Sequence, residues 1–260
     1  MTPVRLALLA LVTVLAACGA APASELGYEV IARYPHDDAA FTQGLLWHDG
    51  ALYESTGLYG ESSLRRVRLE DGARLSVRYL DPDVFAEGLA RVGDELVQLT
   101  WKAGAAYRWP LDGFERGDPP LATHAYMGEG WGLCNDGERL VMSDGSARLT
   151  FRDPDDFAPV GSVEVTLDGE PLTRLNELEC VGNVVWANVW YDDRIVRIDP
   201  SSGRVTGWLD LSGVLPDAVH ARLAEGAVLN GLAWRAETGT MLVTGKLWPE
   251  LVELRIDDGR

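Results

Sequence analysis

Five residues that occupy the same place in a repeated motif suggest a binding pocket. Each lies two residues before a leucine, and none is aliphatic, although packing in a β core would favour Val, Ile or Ala there. They are Gln43, Glu87, Trp131, Asn176 and Asn230. Polar and hydrogen-bonding groups that converge on one place are typical of a pocket for a small molecule or a chain end.

Glu87 is the residue whose chemistry is easiest to state. A carboxylate in a narrow, tryptophan-rich site loses hydration, which raises its pKa. A raised pKa suits a group that moves protons at neutral pH. Lys246, in the segment VTGKLW, is the matching positive group. The alternatives are a surface glutamate at the start of a strand and a solvated lysine at the end of one.

The tryptophans offer the walls of such a pocket. The chain contains 9 of them, and Trp101, Trp131, Trp190 and Trp248 fall within the repeated motifs. An indole provides a flat apolar face and one N–H donor. The alternative role is packing between sheets, which applies equally to Trp47, Trp109, Trp208 and Trp234. Further polar or aromatic groups lie near the ends of the second strands: Glu54, Trp101, Lys102, Asn188, Trp190, Lys246 and Trp248.

The elements that position these residues form a repeat. The anchoring leucines Leu45, Leu89, Leu133, Leu178 and Leu232 recur at roughly 45 residues, a period typical of propeller blades. Each leucine opens a strand, a tight turn and a second strand, and the turns are Asp49-Gly50, Gly93-Asp94, Asp136-Gly137, Gly182-Asn183 and Thr238-Gly239. Such pairs favour hairpins because they tolerate positive φ. The last interval holds a short helical insertion, Leu215 to Glu225.

Third and fourth strands follow four of the hairpins, but the fifth repeat reaches the end of the chain without its fourth strand. The missing strand is found at the other end, as GYEVIARYPHD at 27–37. The sequence therefore predicts an all-β, five-bladed β-propeller over residues 27–260, in which the N-terminal strand closes the last blade. The alternative is an open sandwich whose repeats are coincidental.

The first residues have the pattern of an export signal. A basic start and a short apolar stretch, Leu6 to Leu15, precede Leu-Ala-Ala-Cys at 15–18. This segment resembles the lipobox of bacterial lipoproteins, which predicts a signal peptide over 1–17, lipidation at Cys18 and a tether over 18–26. Gly19 then favours the outer membrane, and the protein would face the periplasm. Ordinary cleavage near Ala23 is the alternative.

Composition excludes some partners. The formal net charge is -17, with 40 Asp and Glu against 23 Lys and Arg, and no basic cluster is present, so nucleic acid is not expected as a partner. Cys134 and Cys180 are too few for a structural zinc site without other ligands. They predict either a disulfide in an exported protein or two small core residues.

The motifs FTQGL, FAEGL, LTWK, GEGWGL, NELE, VWANVW, LNGLAW and VTGKLW, taken together, resemble the plant-type glutaminyl cyclases. The likeness runs from about residue 28 to 257. It implies a five-bladed propeller without catalytic zinc that converts N-terminal Gln of peptides or proteins to pyroglutamate. It also implies that Glu87 is the acid/base, with Lys246 beside it, in a substrate pocket of Phe41, Gln43, Phe85, Trp101, Trp131, Asn176 and Trp190.

The resemblance implies an intramolecular reaction, in which the α-amine attacks the γ-amide of its own residue. Glu87 is expected to move the proton, and indole N–H groups or the amides of Gln43 and Asn176 to stabilise the oxyanion. No cofactor is expected, although a structural cation such as calcium in the channel is left open. We expect a monomer that contacts the membrane through its lipid anchor alone.

Two other functions are compatible with a propeller. A metal-dependent lactonase or esterase would hold a cation with oxygen ligands, for which Asn176, Glu177, Asn188 and Asn230 are available. A non-enzymatic scaffold of the cell envelope is the second, because the fold alone does not determine function.

Overall fold

The computed structural model describes residues 22–257, which form an all-β, propeller-like fold with almost no helix. The predicted signal peptide and Cys18 lie outside this range. In chain order, the strands are β1 (Ser24–Glu25), β2 (Gly27–Pro35), β3 (Thr42–His48), β4 (Ala51–Thr56), β5 (Ser63–Val67), β6 (Arg74–Tyr79), β7 (Ala86–Val92), β8 (Glu95–Thr100), β9 (Ala105–Pro110), β10 (Ala122–Ala125), β11 (Leu133–Asn135), β12 (Leu140–Ser143), β13 (Arg148–Arg152), β14 (Pro159–Glu164), β15 (Thr166–Leu167), β16 (Glu170–Pro171), β17 (Leu175–Val181), β18 (Val184–Val189), β19 (Arg194–Asp199), β20 (Arg204–Asp210), β21 (Leu229–Arg235), β22 (Thr240–Gly245) and β23 (Glu250–Asp257).

Four sheets have four strands each, in the orders β3-β4-β5-β6, β7-β8-β9-β10, β11-β12-β13-β14 and β21-β22-β23-β2. The N-terminal strand β2 pairs with β23, from Gly27 opposite Asp257 to Pro35 opposite Glu250. The N-terminal strand therefore completes the last sheet, as the sequence predicted.

The remaining sheet is larger than the repeat predicts. Its meander β17-β18-β19-β20 is extended by β15, β16 and β1 to seven strands. Strand β14 ends at Glu164, and Thr166 pairs in parallel with Arg204 of the next sheet. Ser24 and Glu25, within the predicted tether, pair in parallel with Gly207 and Trp208. Four sheets thus match the predicted four-stranded unit, and this one does not.

The inner strands β3, β7, β11, β17 and β21 contact one another in succession, and β21 returns to β3. Each of the apolar clusters lies between two neighbouring sheets, as where Leu89 and Leu96 pack against Tyr53 and Leu64. Glycine permits the close approach at the centre, because a Cβ at Gly88 would lie 2.5 Å from the backbone nitrogen of Leu133. The buried core is therefore distributed around the axis.

The turn residues behave as their types predict. The turn glycines of the five repeated hairpins, Gly50, Gly93, Gly137, Gly182 and Gly239, all have positive φ. The predicted helical insertion is shorter than expected: one four-residue helix, α1 (Asp217–His220), lies within it. No helix among residues 22–257 is long and apolar enough to cross a membrane.

Cys134 and Cys180 form a disulfide, with a Cα–Cα distance of 5.4 Å. The bond joins the inner strands β11 and β17, which belong to neighbouring sheets. Of the two predictions left open for these cysteines, the structure selects the crosslink.

Candidate active site

One cavity of about 240 Å³ opens at the end of the inner strands, and it gathers the nine residues to which the family resemblance assigns a catalytic or substrate-binding role. Its lining consists of Phe41, Gln43, Phe85, Glu87, Trp101, Trp131, Asn176, Trp190, Tyr191, Gly226 and Lys246. Tyr191 and Gly226 were not predicted. Gly226 follows the insertion that lies outside the repeat, and Tyr191 follows Trp190 in a loop.

The repeat explains how distant residues reach one cavity. Trp101, Trp190 and Lys246 each directly follow the second strand of their sheet. Their backbone N–H groups donate to the residue that precedes the inner strand, at 2.8 Å to Phe85, 2.8 Å to Arg174 and 2.9 Å to Val228. The same local hydrogen bond therefore directs a different side chain toward the axis in each sheet.

Glu87 is almost fully withdrawn from solvent, with 5% of its surface exposed. Gln43 donates from Nε2 to its Oε1 at 3.1 Å. Burial raises its pKa well above the usual range, Lys246 opposes the rise, and the charge of Glu129 adds to it. A raised pKa makes the carboxylate a stronger base, which suits a group that transfers protons.

Lys246 is the buried cation of the cavity. Burial lowers its pKa to about 8, and Glu87 opposes that shift. Its Nζ lies 4.9 Å from the centre of the Phe41 ring, a cation–π distance. Lys246 therefore lies over an aromatic face and interacts electrostatically with Glu87.

Asn230 does not line the cavity, contrary to the prediction that it converges on the channel with the other four residues. Its Nδ2 donates to the carbonyl of Thr42 at 2.9 Å and lies 3.5 Å from Oε1 of Gln43. An acceptor contact at Oε1 leaves Nε2 of Gln43 directed at Glu87. Asn230 thus lies behind Gln43 and fixes its orientation.

Asn176 presents an unused acceptor. Its Oδ1 is buried and finds no partner among the described residues. Buried polar atoms are nearly always hydrogen-bonded, so an orphan acceptor in a cavity wall indicates a place for a ligand N–H.

Aromatic rings form two walls. In the first, Phe85 contacts Phe41 at 6.1 Å and Trp101 at 5.6 Å, measured between ring centres. In the second, Trp131 meets Trp190 edge to face at 5.4 Å, and Trp190 lies 4.7 Å from Tyr191. These rings provide an apolar enclosure for a short aliphatic stem.

Glu129 joins the two walls, and sequence reasoning missed it. Its Oε2 accepts the indole N–H of Trp101 at 2.7 Å and that of Trp131 at 3.0 Å. Both indoles were expected to be available as oxyanion donors, and the structure corrects this because their N–H groups are already occupied. Glu129 lies two residues before Trp131, as Phe41 and Phe85 lie two residues before Gln43 and Glu87, so the repeat could have identified it.

Other candidates at the strand ends lie outside the cavity. Glu54 is buried against His36 and Thr42, and Trp248 belongs to the apolar core between sheets. Asn188 accepts the N–H of Gly231 at 3.0 Å. Lys102 is exposed and lies over the Trp101 ring at 3.8 Å.

Glu177, one of the oxygen ligands proposed for a metal-dependent lactonase, already has hydrogen-bond partners in the structure. Both carboxylate oxygens of Glu177 accept backbone N–H groups, from Leu45 at 3.2 Å and Leu232 at 2.9 Å. Within residues 22–257, no three His, Cys, Asp or Glu side chains are grouped so that they could hold a metal ion.

The chain matches known proteins over nearly all of its length. The family model described as glutamine cyclotransferase matches residues 4–256. A glutaminyl-peptide cyclotransferase of Arabidopsis thaliana is 39% identical over 229 residues, which cover 88% of this chain and 71% of that protein. The crystal structure of Myxococcus xanthus glutaminyl cyclase superposes with a TM-score of 0.82 at 42% identity, covering 90% of this chain and 98% of that one. This chain therefore belongs to the glutamine cyclotransferase family.

Proposed function

We propose that this protein is a glutaminyl-peptide cyclotransferase, which converts N-terminal Gln of peptides or proteins to pyroglutamate and releases ammonia. The observation that carries the proposal is the cavity, whose lining combines a buried glutamate, a buried lysine and two aromatic walls. The names of the two relatives support the same activity.

The cavity suits an intramolecular reaction. The α-amine and the γ-amide of a Gln residue are already linked, so the protein need only hold the side chain folded back. Such positioning is a large part of catalysis when the reacting groups are held close together. We infer that Phe85, Trp131 and Trp190 pack against the aliphatic stem and keep water from hydrolysing the amide.

Glu87 moves the proton in this mechanism. The α-amine nitrogen attacks the γ-amide carbon and gives its proton to the carboxylate. The carboxyl group then protonates the amide nitrogen, the C–N bond breaks and ammonia leaves, so that no proton is gained or lost. Burial raises the pKa of Glu87, which makes its carboxylate a stronger base toward the α-amine.

The oxyanion of the tetrahedral intermediate needs donors that the protein has not already used. The indole N–H groups of Trp101 and Trp131 already donate to Glu129, which leaves Trp190 as the remaining tryptophan of the cavity lining. We propose Lys246 and Trp190 as these donors. The free Oδ1 of Asn176 accepts an N–H of the attacking or departing nitrogen.

The finer architecture and the cellular location belong to the same proposal. We take the seven-stranded sheet as the fifth blade of the propeller, because its inner strand β17 continues the succession of inner strands. The enzyme is a monomer that needs no metal, and it is a lipoprotein anchored at Cys18 to the outer membrane, facing the periplasm. Loss of palmitate labelling in Cys18→Ser would support the anchor, and unchanged labelling would contradict it.

The activity is tested with the soluble protein from Gly19 onward and the substrates Gln-Ala and Gln-β-naphthylamide. We expect ammonia release and a peptide product lighter by about 17 Da, unaffected by EDTA, since no metal takes part in the proposed chemistry. Asn-Ala serves as the control, because the shorter side chain would need a strained four-membered ring. A folded protein that releases no ammonia from Gln-Ala would contradict the proposed function.

A further inference from the structure

Glu129 connects the two aromatic walls at a single carboxylate oxygen. Trp101 and Trp131 come from different sheets, and no ring contact given by the structure joins them directly. Both N–H groups reach Oε2 of Glu129, at 2.7 Å and 3.0 Å. Each indole has one donor, so this carboxylate fixes the rotation of both rings.

The surroundings keep the carboxylate ionised and limit its movement. Burial alone would raise its pKa, but the two indole N–H groups and Lys102 hold the pKa of Glu129 below its usual range. Nζ of Lys102 lies 3.8 Å from Oε1 and also stacks on the Trp101 ring. Glu129 does not itself line the cavity, which argues against direct contact with substrate.

On the basis of the proposed function, we infer that Glu129 is a positioning residue, which orients Trp101 and Trp131 so that they enclose the substrate side chain. The same position in the first two repeats is held by Phe41 and Phe85, which line the cavity themselves. In the third repeat, this position holds no aromatic ring. It holds a carboxylate that orients two neighbouring rings.

Glu129 also acts on Glu87 through its charge. The charged and titratable groups around Glu87 are Lys246, Glu129 and Tyr126, and the negative charge of Glu129 contributes to the raised pKa of Glu87. Removal of that charge is expected to lower the pKa of Glu87. The acidic limb of the pH profile of kcat/KM should therefore move to lower pH.

Two substitutions separate the hydrogen bonds from the charge. Glu129→Gln keeps a carbonyl oxygen with two lone pairs, so it can still accept both indoles, but it carries no charge. Glu129→Ala removes both. Glu115→Ala is a matched control, because this carboxylate has similar exposure, 31% against 39%, and pairs with Arg66.

With Gln-β-naphthylamide, we expect Glu129→Ala to lower kcat/KM by about 10- to 100-fold, mostly through KM, as misplaced binding groups do. We expect Glu129→Gln to keep KM within about threefold, while both variants shift the acidic limb downward. Glu115→Ala should change neither. Equal KM values for Glu129→Ala and the wild type, or equal losses in the Ala and Gln variants, would overturn the inference.

Tryptophan fluorescence without substrate tests the positioning separately from the activity. Freed indoles in Glu129→Ala should be more accessible to acrylamide than those in the wild type and Glu129→Gln. Unchanged quenching in Glu129→Ala would overturn the inference even if the enzyme is active. If the wild type does not cyclise Gln-Ala, the proposed function fails, whereas the quenching result still decides whether Glu129 orients the rings.

Discussion

Glu87 and Glu54 are both deeply buried, with 5% and 1% of their surface exposed, yet their surroundings move their pKa values in opposite directions. Burial raises the pKa of both carboxyl groups. For Glu54, however, His36, Arg65 and Thr42 outweigh burial and hold the pKa below the usual range. Glu87 has one neutral hydrogen-bond donor, Gln43, and opens into a cavity.

Glu54 belongs to a buried cluster of hydrogen-bonded side chains. His36 Nε2 lies 3.0 Å from Oε1, and the Thr42 hydroxyl donates to the same oxygen at 2.7 Å. His36 Nδ1 lies 2.7 Å from the carbonyl of Trp248, so both ring nitrogens face acceptors, which requires the protonated imidazole. Accordingly, burial alone would lower the pKa of His36, but Glu54 outweighs it and the pKa is raised.

The comparison teaches how the same side chain becomes structural in one place and chemically active in another. A buried carboxylate in an ion pair with cationic side chains gives up its proton readily, and loss of one partner destabilises the fold. A buried carboxyl group with few partners keeps its affinity for protons and can exchange them with a ligand. Ion-pair partners distinguish the two carboxyl groups, because Glu54 lies 3.0 Å from His36 and 3.9 Å from Arg65, whereas burial does not distinguish them.

The largest expected effect is on activity, in Glu87→Gln. The amide is similar in shape but cannot carry the proton, so kcat should fall by about 10²- to 10⁴-fold. Removal of a buried acid with a raised pKa should leave the thermal midpoint equal to or above that of the wild type. Steady-state assays and calorimetry of the same sample measure both. Activity within tenfold of the wild type would exclude Glu87 as the proton carrier.

Glu54→Ala should show the opposite behaviour. Loss of one partner of a buried ion pair leaves His36 without its counter-charge and should cost about 3–5 kcal/mol of unfolding free energy. Turnover per folded molecule should stay within about threefold, because Glu54 does not line the cavity. Urea unfolding measures the loss, and Glu54→Gln serves if the alanine variant does not fold. A loss of kcat without a loss of stability in Glu54→Ala would contradict the structural role of Glu54.

The pH dependence of stability tests the same pair. The stabilisation from Glu54 is present above its unfolded value, 4.5, and is lost as the pH falls through its lower folded pKa. The stabilisation from His36 is present below its unfolded pKa, 6.5, and is lost as the pH rises through its higher folded pKa. The stability difference between the wild type and Glu54→Gln should therefore be largest between pH 4.5 and 6.5. A difference that grows steadily above pH 8 would contradict this assignment.

Much of the fold could be predicted from the sequence because its signals are local and repeated. The turn glycines, the anchoring leucines and the closing strand β2 each recur or complete a pattern. The additional strands β15 and β16 could not, since a single Glu164 to Thr166 connection carries the chain from one sheet to the next. A partner on a neighbouring sheet leaves no periodic signal.

The residues of the cavity could be predicted for a similar reason, whereas their hydrogen bonds could not. The repeat places Gln43, Glu87 and Asn176 at equivalent strand ends, but it does not reveal that Asn230 lies behind Gln43. Nor does it show which indole N–H groups are already used. Those facts depend on side-chain contacts between sheets, and Glu129 was overlooked although its position in the repeat was available.

The disulfide between Cys134 and Cys180 is expected to stabilise the fold without taking part in the reaction. Cys134 and Cys180 are 46 residues apart and connect neighbouring inner strands, so their joint replacement by Ala should cost about 2–4 kcal/mol of unfolding free energy. Neither cysteine lines the cavity, and kcat at 25 °C should be unchanged. Denaturation of the wild type with and without reductant provides the matched control. An unchanged midpoint in the double variant would show that the sheets hold their places without the crosslink.

The smallest expected effect concerns Glu177, a third buried carboxyl group, with 0% of its surface exposed. Its two oxygens accept the N–H groups of Leu45 and Leu232, and a glutamine can satisfy only one of them, which should cost about 1–3 kcal/mol. Burial and the neighbouring Glu179 raise the pKa of Glu177, so its contribution to wild-type stability decreases as the pH rises above 4.5.

The penalty of Glu177→Gln should therefore be largest in acid and become smaller toward neutral pH. Over the same acidic range, the penalty of Glu54→Gln should grow as the pH rises toward 4.5, since the folded pKa of Glu54 is lowered and that of Glu177 is raised. Urea unfolding of both variants and the wild type from pH 3.5 to 7 gives the two curves. Parallel curves would mean that ion-pair partners do not determine how the pKa of a buried carboxyl group shifts in this fold.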